Sequence, residues 1–341
     1  MKILYGIQGT GNGHVTRSTQ VVETLKKKGA AIDVIFSGCD ATKVFDRSVF
    51  TPKAFYKGFT FTVDKGRIKY LATARNLSIL QFAKDVLSFD AKKYDLVVTD
   101  FEPVSAMIAK KNKLPCIGIG HQYAFSHNIP MDQSHFFNRL MMNRFAPADY
   151  AIGLHWHHFN QPIAPPVIPK SVRVSKDMDH RFILVYLPFE HPDHIQTFLS
   201  PFTDYRFAVY GSGHPGAVQK DSHITWHPVS KTRFYQDLSR SSGVICNAGF
   251  ELPSEALFLG KKILAKPLKG QFEQISNALA LKVLSLGMTM ESLDTKRLNT
   301  WLSQEESGVR KDFPDVGEHI GQWIMDGNWS DTAQLVERCW H

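Results

Sequence analysis

The sequence predicts an α/β protein made of two Rossmann-like, doubly wound domains that face each other across a cleft. Three observations carry that expectation. The chain has 341 residues, more than one ordinary core accommodates. Residues 2–38 read as strand, glycine loop, helix and strand, a unit that requires a right-handed crossover and a parallel sheet. The same alternation restarts after a proline-rich stretch near the middle of the chain.

The elements follow in order. "KILYGIQ" (2–8) is a short apolar strand. Lys2 leads directly into it, so the amino end reads as buried strand rather than a secretory leader. In "HVTRSTQVVETLKKKG" (14–29), Val15, Val22 and Leu25 mark one helical face and Gly29 supplies a stop. "AIDVIFSG" (31–38) is a second strand, and "FYKGFTFTVDKGRIKY" (55–70) reads as a basic, aromatic hairpin or excursion around "DKG". "YDLVVTD" (94–100) is a strand, Pro103 opens a helix, and "LPCIGIG" (114–120) is another strand. "FNQPIAPPVIPKSVR" (159–173) has little periodicity, which places the boundary between domains 1–160 and 161–341. Beyond it come strands at 181–187, 206–213 and 241–249, a helix over 250–260 closed by Gly260, and a strand at 261–268.

Composition narrows the class. Hydrophobic content of 43% with 21% charged residues is that of a soluble globular protein. No apolar run reaches the ~18 residues a membrane span needs. The four cysteines stand far apart without a CxxC pair, so a reducing, cytoplasmic compartment is expected. A net charge of +8 suits an anionic partner. The basic residues are spread over both halves without a nucleic-acid motif, so the expected anion is a phosphorylated substrate or an acidic membrane face.

Two motifs carry chemistry. "GTGNGHVTR" (9–17) follows the first strand. A dinucleotide fingerprint needs G-x-G-x-x-G, but the third glycine is Gly13, position 14 is histidine, and Asp33 matches the ribose acid only in part. The second motif is "CNAGFELPSEALFLGKKILAKPLKGQFEQISNA" (246–278). It resembles the nucleotide-sugar signature of two-domain GT-B glycosyltransferases, in particular the plant secondary-product, UDP-glucuronosyl and murein GlcNAc-transferase branches. The matching elements are Gly249, Glu255, Pro267, Glu273, Gln274 and Asn277–Ala278, and "GTGNGH" is similar to the first loop of the same families. The whole chain looks closest to a prokaryotic glycosyltransferase subfamily of this type.

The resemblance implies roles that elementary chemistry supports. A helix beginning near Gly249 and Phe250 would aim free N–H groups at a pyrophosphate. Glu255 would accept the ribose hydroxyls, while Glu273 and Gln274 would hold those of the transferred sugar. Gly11 and Gly13 would let backbone approach the ligands closely. The sequence also departs from the pattern. Asn247 stands where plant-type enzymes have histidine, and it donates a hydrogen bond without positive charge. Leu252 and Pro253 replace small hydroxyl residues, and "LPFEH" (187–191) replaces a phosphate loop.

The implied reaction is inverting transfer from a UDP-type donor to an acceptor hydroxyl, with His14 as general base and Asp100 fixing its tautomer. No cofactor and no metal are expected, the nucleotide-sugar being a substrate. Blander readings stand beside these: His14 as a helix cap, Asp100 as a residue that merely precedes the helix at Pro103, and Glu255 as a solvated helix residue. The alternative functions are a nucleotide-sugar 2-epimerase or hydrolase of the same fold, and a binding protein without turnover. His155, His157 and His158 lack the ligand set of a structural zinc site and read as a polar strand end near the cleft. In "SHFFNRLMMNRFAPADY" (134–150), Phe136, Phe137, Leu140, Met141, Met142 and Phe145 sit beside Arg139 and Arg144. Core or cleft packing is the favoured reading. The second is peripheral contact with an acidic membrane and a lipid-linked acceptor.

Overall fold

The computed structural model describes residues 1–39, 49–58, 63–64, 67–68, 79–132, 144–173, 178–211, 213, 223–228 and 230–340. The strands in chain order begin with β1 (Lys2–Gln8), β2 (Ala31–Ser37), β3 (Pro52–Tyr56), β4 (Val63–Asp64) and β5 (Arg67–Ile68). β6 (Leu96–Asp100), β7 (Cys116–Gly120), β8 (Tyr150–Leu154) and β9 (Ile163–Ala164) follow. The second half supplies β10 (Asp179–Tyr186), β11 (Arg206–Tyr210), β12 (Ile224–His227), β13 (Ser241–Asn247), β14 (Lys262–Lys266) and β15 (Met288–Thr289).

Among the described residues these form two parallel sheets, β3-β2-β1-β6-β7-β8-β9 and β12-β11-β10-β13-β14-β15. Side chains on both faces of the central strands are buried, as in Ile3, Leu4, Tyr5 and Ile7, because helices cover both faces of a parallel sheet. In each sheet the strand order reverses once, between β1 and β6 and between β10 and β13. The carboxyl ends of those strand pairs open the crevices where such sheets build their sites. β4 and β5 pair antiparallel, with Val63 opposite Ile68 and Asp64 opposite Arg67.

The helix Asn12–Lys27 buries Val15, Val22 and Leu25, the face its spacing predicts. It also buries Arg17 and Ser18 on the side that faces Asp100, and Gln20 and Thr24 beneath the helix Val316–Asp326. Their contact is close: a Cβ at Gly321 would lie 2.4 Å from Thr24 Cγ2. The last helix, Thr332–Trp340, returns to the first sheet, where Trp340 Nε1 donates to the Ile163 carbonyl at 2.7 Å. The proline-rich stretch is no loose tether. It contributes β9 to the first sheet, and Val167 and Val172 are buried.

In the apolar and basic segment 134–150, residues 134–143 lie outside the described residues, and with them Phe136, Phe137, Arg139, Leu140, Met141 and Met142. At its described end Phe145 stacks on Phe101 with centroids 5.2 Å apart. No helix among the described residues is long and apolar enough to cross a membrane.

Candidate active site

The first half of the site follows from strand register. β1 and β6 lie side by side with Ile7 opposite Asp100, so the loop leaving β1 starts beside Asp100. The helix begins at Asn12, which puts His14 in its first turn and Arg17 one turn on, over the same carboxylate. His14 Nδ1 lies 2.7 Å from Asp100 Oδ1. Arg17 donates to Asp100 Oδ2 through Nε at 3.0 Å and to Oδ1 through Nη2, and Ser18 Oγ donates to Oδ2 at 2.8 Å. Burial alone would raise the Asp100 pKa, but the charges of Arg17 and His14 and their hydrogen bonds hold it below the usual carboxylate range. Burial works against the Arg17 charge too, and Asp100 and Glu251 outweigh it.

Asp100 is therefore an ionised acceptor, which favours the tautomer with the hydrogen on His14 Nδ1 and the lone pair on Nε2, while Arg17 Nη2, 3.1 Å from Nδ1, competes as a donor to the same nitrogen. Nε2 has no partner among the described residues, and the His14 side chain keeps 15% of its surface exposed. Asp100 does more than precede the helix at Pro103, whose cap is a neighbour. Glu102 caps the helix Pro103–Asn112, accepting from the N–H groups of Val104 at 2.7 Å and Ser105 at 2.6 Å.

The second half stands at the end of β13. Asn247 Nδ2 donates to the Lys266 carbonyl at 2.9 Å, while its buried Oδ1 has no partner. The helix Glu251–Phe258 starts four residues later, and its amino end takes no side-chain cap. Phe250 stacks on His121 of the first domain, with centroids 4.0 Å apart and planes within 2°. His121 also places Nε2 2.6 Å from Asn277 Oδ1 and Nδ1 2.8 Å from the Leu154 carbonyl, joining the two domains. Glu251 pairs with Arg17 across the same boundary. A Cβ on Gly13 would lie 2.5 Å from Glu251 Cγ, so this approach needs glycine there. Burial pushes the Glu251 carboxyl up to about 7, with Arg17 pulling down and Asp100 pushing up.

The remaining expected residues are bonded elsewhere. Glu255 is buried and accepts from the Tyr235 hydroxyl at 3.0 Å, so it is not a solvated helix residue. Burial raises its carboxyl to about 8 against the pull of that hydroxyl. Glu273 accepts from Gln122 Nε2 of the first domain at 3.1 Å. Gln274 braces its own loop: Oε1 accepts from the Leu268 N–H at 2.9 Å. Gly11 has φ 105, a backbone conformation that favours glycine, and Gly249 faces open space.

His14, Asp100, Gly13 and Glu251 thus share one contact network, whereas Glu255 and Gln274 are bonded within the second domain. The "LPFEH" departure also has a local explanation. Glu190 pairs with Lys266 at 2.5 Å and His191 caps the helix Pro192–Leu199. His155, His157 and His158 follow β8 instead of alternating along it. Each uses Nδ1 to accept a backbone N–H, from Trp156, Phe159 and Asn160. Among the described residues no group of three or more His, Cys, Asp or Glu side chains could hold a metal ion.

Arg17 and Glu251 escape the sequence reading. The i, i+3 spacing from His14 was a usable signal for Arg17. Nothing local links Arg17 to Glu251, 234 residues further along.

The two-sheet architecture matches solved glycosyltransferases of the GT-B fold over their full length. CalG4, the calicheamicin glycosyltransferase, is 14% identical with a TM-score of 0.58, covering 99% of this chain and 97% of that one. SnogD from Streptomyces nogalater is 15% identical with a TM-score of 0.55, covering 99% and 98%. VinC in complex with dTDP is 11% identical with a TM-score of 0.54, covering 99% and 100%. Identities this low establish a shared fold. No curated protein matches in sequence. The model of the family described as glycosyl transferase family 1 matches residues 1–305, more than half of the chain. The chain belongs to glycosyl transferase family 1 and is a glycosyltransferase.

Proposed function

We propose that the protein moves a sugar, with inversion, from a nucleoside-diphosphate donor to an acceptor hydroxyl, with His14 as the base. The observation that carries this reading is the 2.7 Å contact between His14 Nδ1 and Asp100, which leaves the Nε2 lone pair uncommitted. The acceptor hydroxyl gives its proton to Nε2 as its oxygen bonds to the anomeric carbon. The bond from that carbon to the diphosphate breaks on the opposite face, and its electron pair leaves with the diphosphate. Asp100 remains ionised throughout and stabilises the imidazolium.

The uncapped amino end of Glu251–Phe258 receives the developing diphosphate charge in the role a metal plays elsewhere. Glu255 is assigned to the ribose hydroxyls. Glu273 and the amide N–H groups of Gln274 are assigned to the transferred sugar. VinC shares the fold and its structure holds dTDP, so dTDP- and UDP-linked sugars are both donors to test. The basic charge of the chain and the composition of 134–150 support a lipid-linked acceptor at an acidic membrane face.

Donor consumption followed by NMR tests the reading. Release of nucleoside diphosphate that depends on added acceptor, persists with a chelator and gives the inverted product is the expected result. Donor turnover without acceptor would replace transfer with epimerisation or hydrolysis. Failure to bind any nucleoside diphosphate would remove the reading altogether.

A further inference from the structure

The start of the Glu251–Phe258 helix presents an electrostatic puzzle. A site for a multiply charged diphosphate is expected there, yet the first helical residue is itself a glutamate. Asn247 is neutral, and Lys266, opposite it in strand register, is committed to Glu190. The guanidinium that reaches this point comes from the other domain.

Arg17 is 2% exposed and its orientation is fixed before any ligand arrives, because Nε and Nη2 both bind Asp100. Its Nη1 is directed at Glu251 Oε1. The Glu251 side chain retains 16% of its surface, so it borders accessible space. Two further observations mark that space as a ligand position. The helix carries no side-chain cap, and a Cβ on Gly249 would meet nothing within 4 Å. Beside it the buried Asn247 Oδ1 lacks a partner, an acceptor that suits an N–H or hydroxyl of a ligand and not a phosphate oxygen.

We propose that Arg17 is the cation for the donor diphosphate, and that Glu251 occupies its Nη1 as an internal anion until the donor displaces it. The inference rests on the transferase reading above. A carboxylate in the first turn of a helix and against a guanidinium makes the two interactions a phosphate oxygen would make there. Both anions cannot hold the same N–H. The diphosphate brings more charge, and it can also occupy the helix N–H groups that the glutamate side chain leaves free. Glu251 is poorly placed to resist, since burial works against its charge and Asp100 and Glu273 add negative charge around it, with Arg17 and His14 as its counter-charges. Donor binding then opens the Arg17–Glu251 link between domains, so the same event loads the donor and frees the cleft.

Titration calorimetry with UDP and dTDP, and with uridine and thymidine as diphosphate-free controls, tests this on the full chain. Glu251→Gln should tighten diphosphate binding about threefold to tenfold, because a neutral amide competes less for a guanidinium than a carboxylate does. Arg17→Gln should weaken it by about tenfold to a hundredfold, the range of a charge-assisted hydrogen bond. Nucleoside affinity should be the same in all three proteins. Unchanged or weaker diphosphate binding by Glu251→Gln overturns the inference, as does a parallel loss of nucleoside binding in Arg17→Gln. Should Arg17→Gln fail to fold, Glu251→Gln alone decides. A wild-type protein that binds neither diphosphates nor nucleosides overturns the transferase reading instead.

Discussion

The two halves of the site are built on opposite principles. Around Asp100 the buried carboxylate is fully engaged: it takes His14, Arg17 twice and Ser18, and the nearby buried Tyr5 hydroxyl is left without a partner. At the start of the Glu251–Phe258 helix the demands are left open, with no side-chain cap, a buried Asn247 oxygen unpaired and open space at Gly249. Burying an unpaired polar group costs free energy, so an incomplete surface persists where the surrounding fold tolerates it. The difference teaches which side is complete without a ligand. The first domain holds His14 and Asp100 against each other, and the second leaves the N–H groups at the start of its helix without a side-chain acceptor.

Breaking the satisfied half should have the largest effect. Asp100→Ala strips the buried Arg17 of its main counter-charge and should cost about 3–5 kcal/mol, as expected when one partner of a buried pair is removed. Urea unfolding measures this, and a loss well under 1 kcal/mol would mean that the pocket is wetter than its geometry implies.

His14→Ala should separate chemistry from architecture. Transfer should fall by about 10² to 10⁴, the usual range for loss of a general base. Unfolding free energy should move little, because the ring is partly exposed and Asp100 keeps its arginine. Rates near wild type would place the base elsewhere.

A smaller perturbation addresses the seam between the halves. Gly13→Ala places a methyl group 2.5 Å from Glu251 Cγ, which must move and loosen its hold on Arg17. A stability loss of about 1–3 kcal/mol is expected, the range for forcing extra volume into a packed contact. No change would show that the two domains separate readily here.

The smallest effect is a pH dependence from the open half. Glu255 in the folded protein titrates at about 8 against an ordinary value of 4.5. Its folded pKa is raised, so its contribution to stability is complete below 4.5 and is lost as pH rises through about 8. The melting temperature of wild type should therefore fall between about pH 6.5 and pH 8, a window chosen because ordinary histidines titrate at about 6.5 and are largely neutral above it. In Glu255→Gln the decline should flatten. An identical decline in both proteins would assign it to other groups.

Much of the first half was readable from neighbouring residues. The alternation of "KILYGIQ", the glycine loop and the face of Val15, Val22 and Leu25 give strand, turn and helix in the positions observed. The pairing of His14 with Asp100 was readable too, since both leave the carboxyl edge of one parallel sheet. Gln274 was not. Its carboxamide serves the Leu268 N–H within its own loop, a detail that the signature does not encode.

By itself the sequence determined what depends on short range: the two α/β halves, the strand–loop–helix units, and the motif that points to nucleotide-sugar chemistry. Periodicity and turn residues act over a few residues, so they survive without knowledge of the fold. Tertiary structure alone decided that the proline-rich stretch supplies β9, that the last helix returns to the first sheet, and that Arg17 meets Glu251. It also decided that Glu255 is buried with Tyr235 and not solvated. The physical reason is common to these cases. Burial and ion pairing depend on distances in space, and two domains packed face to face bring together charges whose separation along the chain carries no trace of their contact.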